Sequence, residues 1–155
     1  MQLIQAPLAS FDAARPVIAL RVDRQKLAKR LWRGTADDGS EFGFELAKPL
    51  APGDVFAETA SARYAIVQEP EPVLEVSLAL APSAAAGIGW AVGNLHLELM
   101  SEPQRLLTPD DPAARQLFDR IKIAYTPTTA VFRPGRFARG EAVAAAQDLG
   151  PSHKH

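Results

Sequence analysis

The sequence predicts an α+β chain: a small all-β domain over residues 1–70, a domain of β-α-β-β-α-β order over residues 71–134, and a flexible tail over residues 135–155. Three observations predict it. Short alternating runs separated by turn residues fill the first part. Glu69-Pro70-Glu71-Pro72 sets two prolines within four residues, which a hydrogen-bonded ladder does not accommodate, so a linker is expected there. Beyond it, strand-like and helix-like patterns alternate as far as Pro134, after which Gly, Arg and Ala predominate and mobile chain is expected.

In the first part, "PVIALRV" (residues 16–22) is a β-branched apolar run suited to a buried strand. Asp23 follows as a cap for one helical turn in "DRQKLAKR". Asp38-Gly39 is a hairpin dipeptide, expected to place both turn residues at positive φ. After it Phe42, Phe44 and Leu46 alternate with Glu41, Gly43 and Glu45, so one face of that strand is core and the other wet. Pro52-Gly53-Asp54 is a further turn and "ARYAIVQ" a further strand. Short strands so punctuated predict a small open barrel or a sandwich.

In the second part, "VLEVSLAL" (residues 73–80) is a strand, and Pro82-Ser83 opens a helix to about Val92 with Ile88, Val92 and Leu95 as its apolar stripe. "LHLEL" (95–99) alternates as a strand with which "QRLLT" can pair. Either Thr108 or Asp111 caps a second helix, which buries Leu117, Phe118 and Ile121, and "KIAYTPTTAVF" closes as a strand irregular at Pro127. This order is the split, ferredoxin-like arrangement.

Composition excludes several classes of function. The 17 basic and 18 acidic residues leave a net charge of -1, so no global field recruits nucleic acid or an anionic membrane. Cysteine is absent, which removes disulfides, thiolate metal sites and cysteine nucleophiles. The first residues lack a basic secretory start, and no apolar run approaches the roughly 20 residues of a membrane span. A cytoplasmic protein is expected. No phosphate loop, dinucleotide fingerprint or nucleophile elbow is present, so no enzyme is expected.

The chain has 3 histidines: His96 in "WAVGNLHLEL", and His153 and His155 in "PSHKH". Neutral imidazole is a good ligand for nickel, copper and zinc. One imidazole is a weak site, but near a twofold axis a residue meets its own copy and becomes two ligands. Against this stands a structural role for His96 at the helix end and a merely solvated tail. In the Gly93-Asn94 pair either residue tolerates the left-handed conformation, so a C-cap is expected there. Asp37-Asp38 and Asp110-Asp111 are accounted for by a turn and an N-cap without acid–base chemistry. The basic run Arg21, Arg24, Lys26, Lys29, Arg30 and Arg33 reads first as a solvated face, next as a patch for an acidic protein partner, and last as a nucleic-acid contact, with only Trp32 interleaved.

Four segments in order carry a resemblance to the UreE family of urease accessory proteins, which are nickel metallochaperones: "TADDGSEFGFEL…LAPGDV", "EPEPVLEV", "GWAVGNLH" and "FRPGRFARG" followed by histidines. The resemblance implies a peptide-binding β domain followed by a ferredoxin-like domain that forms a twofold homodimer. It maps the family's metal-binding histidine onto His96 and its tail ligands onto His153 and His155. Leu95 replaces the arginine of the family's Gly-Asn-Arg-His, Asp110 or Asp111 stands where many members have a histidine, and the tail histidines are few. The implied function is delivery of Ni(II) in urease maturation, in company with the urease accessory GTPase and assembly complex, with Zn(II) or Cu(II) as other cargoes. The rings must be deprotonated to bind, so affinity is expected to fall in acid. The rival reading is a protein- or peptide-binding assembly module whose histidines are incidental. No nucleic-acid or membrane partner is expected.

Overall fold

The computed structural model describes residues 1–138 and 146–148, and the chain divides between Glu69 and Pro70 into two units. It is a mixed α+β protein. The first unit comprises β1 (Gln2–Ile4), β2 (Val17–Val22), the single-turn α1 (Arg24–Leu27), β3 (Leu31–Thr35), β4 (Glu41–Glu45), β5 (Val55–Glu58) and β6 (Arg63–Gln68). They form two three-stranded sheets, ordered β1-β4-β3 and β2-β6-β5. Each contains a parallel pair, β1 with β4 and β2 with β6, which the local patterns did not foretell. One core joins the sheets. The alternation in β4 turns Phe42 and Phe44 inward, where each meets the ring of Phe56 from β5 edge-on, at 5.0 and 5.2 Å. The β5–β6 register shifts between Val55 and Ala57, so Phe56 sits in a bulge that aims it at the other sheet.

The turns differ in one respect from expectation. Between β3 and β4, the Gly39 N–H donates to the Ala36 carbonyl and the Ala36 N–H to the Ser40 carbonyl, each at 2.9 Å. Among the loop residues only Gly39 has positive φ, at 86°. This is a three-residue loop with a left-handed glycine, not a two-residue turn with two such residues. The Asp38 carboxylate accepts from the Ser40 N–H and from the Tyr64 hydroxyl, tying the loop to β6, while Asp37 pairs with Arg21. Both acids are therefore structural. Asp23 caps α1 by accepting the Lys26 N–H at 2.7 Å.

The second unit contains β7 (Glu71–Ser77), α2 (Pro82–Asn94), β8 (Met100–Ser101), β9 (Arg105–Pro109), α3 (Pro112–Arg120), β10 (Thr126–Ala130), β11 (Arg136–Ala138) and β12 (Ala146–Asp148). Strands β7 to β10 form an antiparallel sheet ordered β10-β7-β9-β8, with a helix after β7 and another after β9. Leu74, Val76 and Leu106 bury one face against Ile88 and Val92 of α2 and Leu117 and Phe118 of α3. Val73, Leu107 and Met100 point the opposite way and are covered by Phe132.

Several local expectations change. Residues 95–99 are not a strand; the ladder begins at Met100, because the backbone of 95–97 is occupied in closing α2. Pro72 does enter a ladder, opposite Thr129, near the start of β7 where its carbonyl is used, accepting the Asp110 N–H at 3.1 Å. Pro127 is tolerated because β10 is an edge strand. Asp111 caps α3 in place of Thr108, which belongs to β9 and lies fully buried there. Leu95 and Ile121 are 40% and 37% exposed instead of core, each being the first residue past its helix. Past Pro134 the chain is not all irregular, since β11 pairs antiparallel with β12. No helix among the described residues is long and apolar enough to cross a membrane.

Candidate metal centre

His96 owes its position to the way α2 ends. The His96 N–H donates to the Gly93 carbonyl at 2.9 Å and the Leu97 N–H to the Val92 carbonyl at 3.2 Å. These are the paired bonds of a Schellman closure, in which one residue past the cap turns left-handed. That residue is His96 itself, with φ of 55°, and not Gly93 or Asn94 as the Gly-Asn pair suggested. The apolar contact that accompanies the motif is present, because Leu97 packs on the cluster containing Val92. The outcome is an exposed imidazole on a backbone hydrogen-bonded on both sides. Left-handed geometry does not by itself argue for a ligand, since Lys122 ends α3 in the same way at φ of 56°.

The surroundings of His96 are uncharged along the helix. No residue of α2 carries a charge, and its exposed side presents Trp90, 72% exposed, with Leu95 beside the histidine at the helix end. The Gly135 N–H donates to the Leu99 carbonyl at 2.8 Å, so the chain leading to the tail is fastened within the segment that follows His96.

The acids nearest to the resemblance's missing histidine are engaged. Arg115 donates to both carboxylate oxygens of Asp110, at 2.7 and 2.8 Å, and Asp111 accepts the Ala113 N–H. These hydrogen bonds and the charge of Arg115 hold the Asp110 carboxyl below its ordinary value of 3.8. A carboxyl whose folded pKa is depressed stabilises above its unfolded value and loses that contribution as pH falls through the folded one. The stability difference between the native chain and Asp110→Asn is therefore expected at neutral pH and should close as melts are run progressively below pH 3.8. A difference independent of pH would assign it to something other than this ion pair.

No group of three or more His, Asp or Glu side chains able to hold a metal occurs among the described residues. His153 and His155 lie outside them. Trp32, the aromatic within the basic run, is 7% exposed and stacked on Phe44 at 3.9 Å, so it offers no face to a base. The left-handed placement of His96 escaped sequence reasoning, though the Val92–Leu97 spacing of apolar residues was its signal.

Residues 71–155 match the family model described as UreE urease accessory protein, C-terminal domain. A urease accessory protein UreE of Deinococcus radiodurans is 31% identical over 131 residues, covering 83% of this chain and 82% of that protein. One of Rhodobacter capsulatus is 30% identical over 151 residues, covering 96% and 92%. Another, of Bifidobacterium longum subsp. infantis, is 35% identical over 93 residues, 60% of this chain and 42% of that protein. The domain match and the near full-length relatives together make this chain a member of the UreE family of urease accessory proteins, and not an enzyme.

Proposed function

We propose that the protein is a cytoplasmic nickel metallochaperone acting in urease maturation as a homodimer, with one Ni(II) held between the His96 side chains of two copies. The observation that carries this reading is an exposed histidine closing a helix that has no charge and leaves Trp90 72% exposed. A single chain offers no ligand cluster among the described residues, so His96 needs ligands from a second copy or from the tail. His153 and His155 are the auxiliary ligands in this reading. The Gly135–Leu99 hydrogen bond supports it by starting the tail near the segment that bears His96. A site of few imidazoles is exchangeable, which suits delivery.

The second unit then acts as a ferredoxin-like dimerisation domain, and the first as the domain that docks a partner. That partner is the nucleotide-hydrolysing accessory protein of the urease assembly complex. Imidazoles also take Zn(II) and Cu(II), so the titration includes both as competitors. Calorimetric nickel titration is the test, with sedimentation to count chains, on the native protein and on a version truncated after Gly150. One ion per two chains, weakened but kept on truncation, is the expected result. A monomer that binds no nickel would overturn it and favour the rival peptide-binding module.

A further inference from the structure

The first unit leaves one sheet edge open beside a group of cations. β3 is last in the order β1-β4-β3, so among the described residues no strand pairs with its outer side, which is tied to β2 only past its end, where the Asp37 N–H donates to the Ala19 carbonyl at 2.8 Å. Along a strand, successive side chains point to opposite faces, which separates Leu31 and Arg33 from Trp32. All three nevertheless line one cleft of about 580 Å³, whose other wall comes from α1 and the turn after it, including Lys26 and Lys29. A cleft that touches both faces of a strand runs along its edge.

The chemistry of this edge is specific. An unpartnered edge presents backbone N–H and C=O groups to any extended chain. Lys26, Lys29 and Arg33 outnumber Asp23, the acid of the lining, and a carboxylate oxygen of Asp23 already accepts the Lys26 N–H. Leu31 stands 75% exposed within the same lining, an apolar anchor between the cations. Trp32 carries a buried indole N–H with no acceptor among the described residues.

We infer that the β3 edge is the docking site for an extended, acidic segment of a partner protein, which adds as a further strand with apolar residues beside Leu31 and carboxylates toward Lys29 and Arg33. This rests on the reading that the first unit docks a partner, and it names the place and the chemistry. A second copy of the chain is disfavoured there, because pairing the edge with itself sets like charges together. Nucleic acid is disfavoured because Trp32 is stacked on Phe44 and leaves no ring for a base.

The test is fluorescence anisotropy of the full chain with a short, blocked peptide alternating glutamate and valine. Its comparison probes are the lysine–valine counterpart, the glutamate–valine peptide N-methylated at alternate amides, and a short oligouridine. The expected result is binding of the first alone, weakened by salt and reduced about tenfold or more by Lys29→Glu with Arg33→Glu. Both of those side chains are exposed, and an unchanged melting temperature certifies the fold. Equal binding of the N-methylated peptide would overturn strand addition. Equal binding of the lysine peptide, or no effect of charge reversal, would overturn acidic specificity, and tighter binding of oligouridine would give the patch to nucleic acid. No binding at all would leave the cations as protection of a bare edge and end the proposal. Nickel titration of the same variant keeps the two readings apart: peptide loss with nickel retained concerns this edge alone, and nickel failure in the native chain leaves a positive peptide result standing.

Discussion

His96→Gly is expected to remove nickel binding and, in metal-free buffer, to raise the melting temperature of the protein. Both effects follow from the geometry at the end of α2. The residue past the cap sits at φ of 55°, a conformation that costs a side-chain-bearing residue about 1 kcal/mol and costs glycine nothing. For a unit of this size, 1 kcal/mol corresponds to about 4–8 °C. Loss of the imidazole should weaken nickel by at least about 100-fold, beyond what removal of an outer-shell partner typically costs. Two companion variants separate the effects. His96→Ala should lose nickel without the thermal gain, and Lys122→Gly should gain stability at the end of α3 while nickel binding stays unchanged. Calorimetry and thermal melts without metal measure all three. Unchanged nickel binding in His96→Gly would reduce His96 to a helix terminus and move any metal elsewhere. The combination is diagnostic because a histidine kept for structure would be improved by glycine at no loss.

Phe44→Ala is expected to destabilise the first unit by about 3–5 kcal/mol. Phe44 is 1% exposed, stacks on Trp32 at 3.9 Å within its own sheet and meets Phe56 of the other sheet edge-on at 5.2 Å. It is therefore one of the rings through which the two small sheets share a core. Small domains are held by a net of only about 5–15 kcal/mol, so this single ring is a large fraction of what keeps the unit folded. Urea unfolding followed by Trp32 fluorescence in a Trp90→Phe background would measure it. A loss below about 1 kcal/mol would mean that the sheets collapse around the gap and that Phe44 does not join them.

Elements whose cause is local were legible beforehand. Asp23 caps α1 because a short acceptor before a helical run satisfies a free N–H, and nothing distant is needed for that, whereas Thr108 and Asp111 were equal candidates for α3 until the pairing of β9 took Thr108. The inward set Phe42 and Phe44 followed from a period of two, and the start of α2 at Pro82 from the helix-entry preference of proline. The strand expected over 95–99 failed because its alternation was real but its backbone was already committed to α2. Pro72 was excluded from a ladder by a rule about missing donors, yet its place at the start of β7 calls on its carbonyl. Among the candidate ligands, His96 was legible as a helix-end histidine, while its left-handed backbone was assigned to its neighbours. A Gly-Asn pair is a strong local signal, and the bonds from His96 and Leu97 back to the helix displaced the turn past it.

Legible from the residues alone were the β-rich and mixed textures on either side of the prolines, the capped starts of α1 and α3, and three imidazoles in a chain without cysteine. Those are matters of nearest neighbours, composition and period. Long-range contacts set the rest: β1 lies parallel to β4 and β2 to β6, Phe56 bulges between two sheets, Trp32 is buried, and among the described residues no strand pairs with the outer side of β3 beside its cations. Strand pairing, ring stacking and an uncovered edge depend on which distant segments meet. That selection is made by the burial of a shared core, which no local pattern contains.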